Sequence, residues 1–410
     1  MINKVKKFLY FPIANYFRIF AQIQLFLWKP KIIVITGSNA KTTLLNLLES
    51  QIGKGAKYSH KANSSFGIPF DILGLKRKTL TLDEWPLLFL SAPFKAFKKP
   101  PEEKLYIVEA DCDRVNEGKF LATLLKPDTT IWLSSSKSHS MNFEKPMEEN
   151  IAFEFGYFLE YTKNLIVVNG DSHLIKKQLP RTKAKTILIT KKDLQKYDVQ
   201  KNKTEFKIKG QIYKFKFLLP EEGFYQIAAT SKLLNYLNLE PDFSFSKFQL
   251  PPGRSSSFKG IKNTTLIDSS YNATLSSMNV ILEMFNQIPA EKKWVVLGDI
   301  LEQGEEEKLE HENLAKILKD YNLENIILVG PRLSKYTYPK LKNKKVVSFI
   351  NPKEALDYLN INLKGGETIL FKGAGFLEGI IEHLLLDKKD KEKLCRREKV
   401  WQKRREKWGL

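Results

Sequence analysis

Residues 31–48 read KIIVITGSNAKTTLLNLL, and this stretch decides the fold of the first half of the chain. Its first six residues are mostly β-branched and apolar and end at a glycine, a pattern that predicts a buried parallel strand. Residues 42–50 predict a helix whose leucines form the apolar positions. A strand, a polar turn with Lys41 and a helix favour phosphate binding, because turn amides and the positive helix end face an anion.

The polar turn supplies the candidate contacts to a nucleotide. In a loop of this kind Lys41 would reach the terminal phosphates, and the Thr42 hydroxyl would ligate Mg²⁺. Ala40 stands where the usual pattern has its last glycine, and its Cβ restricts positive φ and crowds the phosphates. An ordinary turn that contains a lysine is the alternative that this stretch alone leaves open. The residues predicted to bind ATP here are Gly37, Ser38, Asn39, Ala40, Lys41, Thr42 and Thr43.

Further apolar runs extend the pattern into two domains. Runs at 106–108, 130–133 and 165–168 each precede polar or charged residues, as expected where strand ends carry a site. Alternating residues over 204–219 predict two strands around Gly210. A second set of apolar runs lies at 265–267, 294–297, 325–329 and 368–371. The expected fold class is α/β: a central, P-loop ATPase-like doubly wound domain and a C-terminal Rossmann-like α/β domain.

Length and composition agree with this division. A chain of 410 residues is too long for one ordinary core, and its 42% hydrophobic fraction is typical of a globular protein. The expected segments are an amphipathic N-terminal segment (1–30), a central ATP-binding domain (31–250), a C-terminal domain (251–386) and a basic tail (387–410). The Pro-Pro-Gly at 251–253 is the candidate hinge, because proline is stiff and glycine is permissive.

Charge and cysteine content narrow the possible partners and the compartment. The net charge of +21 suits nucleic acids, anionic lipid or polyanionic small molecules, although compositional bias alone is an equal alternative. No zinc-finger spacing and no RNP-type aromatic signature occur, so no specific nucleic-acid partner is expected. Cys112 and Cys395 give neither a disulfide framework nor a metal-type spacing, which indicates a reducing compartment. We expect a cytoplasmic monomer.

The first thirty residues predict an amphipathic helix. Polar residues interrupt their apolar run and no cleavage site follows, which argues against a signal peptide, and no stretch of about 20 apolar residues is present for a spanning helix. Asn15, Arg18 and Gln22 recur at helical spacing. Two alternatives follow. The helix packs on the protein's own domain, or residues 1–30 lie peripherally on an anionic membrane at the inner face of the plasma membrane.

Motifs on both sides of the expected boundary resemble the Mur ligase family. Residues 36–43 are similar to the T-G-x-N-G-K-T-T loop of these ligases. Downstream, residues 252–254, 266–273, 297–304 and 371–373 follow in the family's order and spacing. The resemblance extends from about residue 31 to residue 386, and on it the chain is identified as a member of this family.

The resemblance implies an ATP-dependent, ADP-forming amide ligase. Such an enzyme activates a carboxylate as an acyl phosphate, which an incoming amine then attacks. The downstream motifs imply the addition of D-alanyl-D-alanine to a muramoyl-peptide precursor in peptidoglycan synthesis, with small-molecule peptide and dipeptide substrates. Two alternatives stay open: another amino-acid or glutamyl ligase of the superfamily, and a nucleotide-binding scaffold that has lost catalysis.

Roles for single residues also follow from the resemblance. Glu109 and His139 match metal-binding residues, Arg254 and Asp268 match residues that contact the nucleotide, and Lys372 matches a lysine that serves the incoming substrate. The catalytic candidates are therefore Lys41, Glu109, His139 and Lys372, and the candidate Mg²⁺ ligands are Thr42, Glu109 and His139. Each role has an alternative. Glu109 could be a solvated acid and His139 a loop histidine. Asp268 could cap a helix, and Arg254 could make a surface contact. For Asn272, Asp299 and Glu302, turn roles are as open as catalytic ones.

Besides Ala40, the chain departs from the family at three places. Ser134–Ser136 replaces a segment like T-N-I-G. Phe155 stands where the family has a lysine whose carbamate ligates a second metal ion, so we expect that ion to be weakly bound or held by Glu154 or Glu149. Only about thirty residues precede the first strand, fewer than a folded domain generally needs. The family's UDP-binding N-terminal domain is therefore expected to be missing, and a partner or a different acceptor, such as a lipid-linked one, would take its place.

Overall fold

The computed structural model describes residues 2–60, 62–77, 82–137 and 140–410, with the backbone alone at 2–8, 82 and 140. It divides into two compact units. Unit 1 contains the residues up to Lys191 together with Tyr225–Phe248, and unit 2 contains Lys192–Phe224 and Gln249–Leu410. The chain thus enters unit 2 twice, and residues 192–224 group with the C-terminal part of the chain.

Unit 1 is built on a parallel sheet whose strands match the predicted apolar runs. The strands are β1 (Lys31–Thr36), β2 (Ala56–Tyr58), β3 (Leu105–Glu109), β4 (Thr129–Trp132), β5 (Leu165–Asn169) and β6 (Lys185–Ile189). Their order is β2-β3-β1-β4-β5-β6, and every neighbouring pair is parallel. Five of the six residues of β1 are buried, because helices cover both faces of such a sheet. Since β1 lies between β3 and β4, the chain order reverses at its carboxyl end, which is where ligands bind in open α/β sheets.

Helices surround this sheet. They are α1 (Ile2–Trp28), α2 (Lys41–Ile52), α3 (Gly67–Leu73), α4 (Trp85–Ala96), α5 (Glu117–Leu125), α6 (Met147–Tyr161), α7 (His173–Gln178) and α8 (Gly223–Tyr236). The N-terminal helix packs on the protein's own unit, since Ala14, Phe17 and Ala21 are fully buried in its core. The Trp28 indole N–H also donates to the Glu103 carbonyl at 2.7 Å. Within the described ranges, no helix combines the length and apolar character that crossing a membrane requires.

Unit 2 contains two sheets. The smaller is antiparallel, with β7 (Leu194–Val199), β8 (Thr204–Ile208) and β9 (Gln211–Phe215) in that order. The predicted pair of strands around Gly210 is confirmed, with Gly210 at φ 87° in the turn. The third strand, β7, was missed, because the alternation in its sequence is weak.

The larger sheet of unit 2 carries the predicted C-terminal runs. Its strands are β10 (Ser256–Lys259), β11 (Thr265–Ser269), β12 (Lys293–Gly298), β13 (Asn325–Val329), β14 (Val346–Phe349) and β15 (Thr368–Lys372), in the order β10-β11-β15-β12-β13-β14. Only β10 pairs antiparallel among these described strands. The helices are α9 (Leu275–Gln287), α10 (Glu307–Lys319), α11 (Pro352–Asn362), α12 (Leu377–Leu384) and α13 (Lys399–Glu406). Both units have the predicted α/β architecture.

The basic tail is a folded part of unit 2. Leu394 is buried in the same core as Ile380 and Leu384 of α12. Arg405 of α13 is also buried, and its guanidinium lies 3.6 Å from the Glu378 carboxylate. Cys395 in this tail and Cys112 of unit 1 are free thiols, as the sequence suggests.

Candidate functional site

The predicted phosphate loop joins β1 to α2 in a conformation that depends on Gly37. Its φ is +119°, and a Cβ at this position would lie 2.5 Å from the Ser134 carbonyl oxygen, so only glycine fits. Ala40, immediately before α2, has φ 63° and ψ 6°, the left-handed region. A residue with a side chain is destabilised by about 1–2 kcal/mol in this region. Ala40 nevertheless has the backbone conformation that favours glycine.

Ser134–Ser136 hold the loop from the side. The Ser134 hydroxyl accepts from the Asn39 N–H and donates to the Asn39 carbonyl, both at 2.8 Å. The Ser38 hydroxyl accepts from the Ser136 N–H at 2.9 Å and donates to its carbonyl at 2.8 Å. Reciprocal bonds of this kind fix both segments relative to each other. The altered serine segment therefore supports the loop, a role that sequence reasoning missed.

Lys41 forms a buried ion pair. Its Nζ lies 2.8 Å from the Asp111 carboxylate, and it donates to the Gly37 carbonyl at 2.5 Å. Burial alone would lower the pKa of Lys41, but the charges of Asp111 and Glu109 outweigh it and raise that pKa above its ordinary value. The side chain is therefore a fixed cation at the end of β1. Asp111 was missed, although the pair of acids at 109 and 111 just after an apolar run was a signal for it.

Thr42 and Glu109 are the two predicted magnesium ligands that the structure brings together. The Thr42 hydroxyl lies 3.0 and 3.2 Å from the two Glu109 carboxylate oxygens. Hydroxyl and carboxylate oxygens are hard ligands that suit Mg²⁺, which completes its shell with waters and substrate phosphates. Among the residues that the structure describes, no group of three or more His, Cys, Asp or Glu side chains is placed to hold a metal ion. His139 lies outside the described residues, and Thr43 is buried in α2.

The residues near Phe155 do not fit a second metal ion. Phe155 is fully buried on α6, and its ring centroid lies 5.7 Å from that of Trp132. Glu154 accepts the backbone N–H groups of Asn116 at 2.8 Å and Gly118 at 2.9 Å, so both of its oxygens serve the start of α5. Burial raises the pKa of Glu154, and these hydrogen bonds oppose that effect. Glu154 is thus committed to a helix, contrary to the metal role suggested for it.

In unit 2, Asp268 and Lys372 lie at the carboxyl ends of adjacent strands. Asp268 is fully buried and accepts from the Ser270 N–H at 2.9 Å and its hydroxyl at 2.6 Å. Burial raises the pKa of Asp268, and the bonds from Ser270 counteract this. Lys372 is also buried and donates to the carbonyl of Ser269 at 3.4 Å and to that of Asn272. Burial, and then the charge of Arg254, lower the pKa of Lys372 to about 7.

Arg254 and three other C-terminal candidates have identifiable contacts. The Arg254 guanidinium lies 4.0 Å above the ring of Tyr271. Asp299 accepts from the Leu333 N–H at 3.0 Å and lies 3.3 Å from the Arg332 guanidinium, so it organises a turn. Asn272 likewise accepts from the next N–H in the chain, at 2.9 Å. Glu302 occupies a left-handed turn position with φ 64°. These contacts are compatible with turn roles, and Asp299 also lines a cavity of unit 2.

A cavity of about 360 Å³ opens near the carboxyl ends of β12, β13 and β15. Gly330, Pro331 and Phe376 form part of its largely apolar wall. The tail adds Arg404 and Trp408, and Trp401 stacks against Arg404 with the guanidinium 4.7 Å from its ring. The cavity thus combines apolar surface with charged side chains, which are Arg396, Arg404 and Asp299. Sequence reasoning did not predict it because its parts lie far apart in the chain.

Family comparisons cover most of the chain. Residues 35–232 match the Mur ligase middle domain, and residues 253–375 match the Mur ligase, glutamate ligase domain. Two similar relatives are UDP-N-acetylmuramoyl-tripeptide–D-alanyl-D-alanine ligases. The one from Buchnera aphidicola is 23% identical over 385 residues, covering 88% of this chain and 78% of the relative. The one from Bacillus subtilis is 22% identical over 375 residues, covering 87% and 76%.

A similar solved structure is a MurF ligase from Thermotoga maritima in complex with ADP. It superposes with a TM-score of 0.73 at 22% identity, covering 93% of this chain and 84% of that protein. At this identity the likeness establishes the fold of the chain, and the domain matches establish the family.

Proposed function

The chain belongs to the Mur ligase family, and we propose that it adds D-alanyl-D-alanine to a muramoyl peptide in an ATP-dependent, ADP-forming reaction of peptidoglycan synthesis. The observation that carries the proposal is the arrangement at the start of α2. There, the Lys41 ammonium and the Thr42–Glu109 oxygens lie side by side at the end of a buried parallel strand. The names of the relatives in Buchnera aphidicola and Bacillus subtilis support the choice of dipeptide.

The reaction needs charge neutralisation more than a protein nucleophile. A carboxylate oxygen of the acceptor attacks the γ-phosphorus of ATP, the bond to ADP breaks, and an acyl phosphate forms. The neutral amine then attacks the acyl carbon, phosphate leaves with the C–O bond electrons, and the nitrogen loses a proton. Lys41 and the loop amides would stabilise the phosphate charge. Thr42 and Glu109 would hold Mg²⁺, which when bound neutralises the phosphates further.

Residues of unit 2 would serve the nucleotide and the incoming amine. Arg254 and Asp268 are the proposed nucleotide contacts, and Lys372 the proposed contact to the amine substrate. The pKa of Lys372 lies near 7, so that part of the population is uncharged at neutral pH. An uncharged amine can take up the proton that the attacking nitrogen loses.

The cavity at β12, β13 and β15 is the proposed place of the dipeptide. Ligands bind at the carboxyl ends of parallel strands, and 360 Å³ is within the size range of small-molecule sites. Its apolar wall suits two methyl groups, and Arg404 in its lining suits a carboxylate. Arg404→Ala should raise the KM for the dipeptide and leave the KM for ATP unchanged. Lys403→Ala, one residue earlier on α13, is the matched control, and equal effects of both variants would exclude this assignment.

Phosphate release tests the proposed reaction. ATP is supplied with UDP-muramoyl tripeptide and D-alanyl-D-alanine, separately and together, and release should require both. Release with another amino acid would favour a different ligase of the superfamily. Failure to bind nucleotide at all would favour the scaffold alternative.

The acceptor and the location of the reaction form a second part of the proposal. A lipid-linked acceptor would suit a cytoplasmic monomer that associates through residues 1–30 with the inner face of an anionic membrane. Labelled dipeptide offered with soluble and lipid-linked acceptors distinguishes the two, and incorporation into the soluble acceptor alone would overturn the lipid-linked one.

A further inference from the structure

The helix α4 presents a row of large apolar side chains to solvent. Leu87, Leu90, Phe94 and Phe97 are 69, 68, 78 and 70% exposed. They are three or four residues apart, so they project from one side of the helix and its C-cap. The opposite side of α4 is buried. Single exposed apolar residues are ordinary on protein surfaces, but a contiguous row of this size marks an interaction surface.

The helix α1 extends the same surface. It packs beside α4. The Tyr16 hydroxyl donates to the Phe89 carbonyl at 2.9 Å, and the centroids of the Tyr16 and Phe89 rings lie 5.0 Å apart. Ile19 and Phe26 of α1 are 56 and 72% exposed. The inner sides of both helices are buried in one core cluster, so their outer sides face away from that core together. We call the outer surface the α1–α4 face, formed by Ile19, Phe26, Leu87, Leu90, Phe94 and Phe97.

The charged residues within α1 and α4 are all basic. Neither α1 nor α4 contains an Asp or Glu. Lys29 is exposed next to Phe26, with its ammonium 5.6 Å from that ring, and Lys98 is exposed beside Phe97. A side-chain hydrogen bond with Lys98, and then the charge of the Lys98 ammonium, lower the pKa of Lys95. An anionic surface would relieve the repulsion between these two ammonium groups.

We propose that the α1–α4 face docks on an anionic lipid bilayer. Its leucine and phenylalanine side chains enter the boundary between headgroups and acyl chains, and the flanking lysines meet lipid phosphates. An apolar face bordered by cations, without acidic residues in either helix, fits lipid better than it fits a protein surface that needs specific polar partners. This proposal changes the expectation from sequence, because the inner half of α1 is buried and α4 supplies most of the contact.

This inference is independent of the ligase reaction, since the α1–α4 face contains none of the proposed substrate contacts. Binding is measured by co-sedimentation of the full chain with vesicles of phosphatidylglycerol and phosphatidylcholine, and with vesicles of phosphatidylcholine alone. The chain should bind the anionic vesicles, and Leu90→Glu combined with Phe94→Glu should reduce that binding by about tenfold or more. Ile361→Glu is the control, because Ile361 is 80% exposed on α11, in unit 2.

Three outcomes would overturn the proposal. The first is no binding to anionic vesicles, and the second is an equal loss of binding in the Ile361 control. The third is a dimer of the unsubstituted chain in light scattering, together with a monomer of the Leu90–Phe94 double variant whose vesicle binding is unchanged. That result would assign the α1–α4 face to contact with a second copy of the chain. Circular dichroism and phosphate release with a soluble acceptor should be the same in the double variant and the unsubstituted chain. A failed ligase reaction with normal vesicle binding would leave this inference intact.

Discussion

The Lys41 ammonium and the Asp111 carboxylate form an ion pair of 2.8 Å with side-chain exposures of only 7 and 10%. The pair ties the start of α2 to the end of β3, so it fixes the cation on which phosphate binding depends. A buried charge that loses its partner is costly, whereas an exposed pair contributes little.

Asp111→Asn should lower the free energy of unfolding by about 1–3 kcal/mol, because Lys41 keeps a polar neighbour but loses the opposite charge. Chemical denaturation of the full chain measures the change. Glu102→Gln removes half of the pair with Lys99, whose side chains are 82 and 84% exposed, and should cost about 0–0.5 kcal/mol. Equal effects of the two variants would show that the buried pair does not stabilise the loop.

Thr42→Val should weaken the response to magnesium. Valine keeps the shape of the side chain but removes the hydroxyl that lies 3.0 Å from Glu109, so one hard ligand is lost. We expect a higher magnesium concentration for half-maximal phosphate release and a kcat about tenfold or more below that of the unsubstituted chain. Ser50→Ala, at the other end of α2, should leave both quantities unchanged. An unaltered magnesium curve for Thr42→Val would exclude this hydroxyl as a ligand.

Ala40→Gly should stabilise the protein, because the N-cap position of α2 and its positive φ both favour glycine over alanine. The φ of 63° destabilises the folded state with alanine by more than the extra chain entropy of glycine stabilises the unfolded state. We therefore expect the free energy of unfolding to increase by about 0.5 kcal/mol. Ala56→Gly is the control, since Ala56 has an extended φ of −137° and is buried. It should lose about 1 kcal/mol. Destabilisation by both variants would mean that Ala40 is not strained.

The strands and the loop could be predicted because their signals are local. Residues 31–36 contain their β-branched run and residues 37–43 their polar turn within one stretch, and both elements are where the pattern puts them. The acids at 109 and 111 were a signal for a site, but which residues contact that turn could not be predicted. Asp111 reaches Lys41 only because β3 lies next to β1, and Ser134 reaches Asn39 only because β4 lies on the other side. Strand order brings these side chains together, and the sequence carries no local mark of it.

Phe155→Lys should destabilise the protein without creating a second metal site. The phenyl ring is fully buried against Trp132, so the change removes apolar packing and buries an amine, at a cost of about 3–5 kcal/mol. Phe153→Lys, on the same helix at 47% exposure, should cost about 1 kcal/mol. Thermal unfolding compares the variants. A Phe155→Lys protein with unchanged stability and a gain in magnesium-dependent activity on addition of bicarbonate would contradict the prediction.

Lys372 should make the stability of the protein depend on pH in alkaline solution. Its folded-state pKa of about 7 lies below the ordinary value of 10.5, so between these limits the unfolded chain binds a proton that the folded chain does not. Stability therefore rises with pH through this window, by about 1 kcal/mol per pH unit from this group alone. Lys372→Met removes the group and keeps its length, so the free energy of unfolding of the unsubstituted chain minus that of the variant should rise as pH increases from 7 to 10. Other lysines and tyrosines titrate in both proteins and cancel in the difference. Urea denaturation at several pH values gives this difference, and a value independent of pH would mean that Lys372 has the same pKa in the folded and unfolded chains.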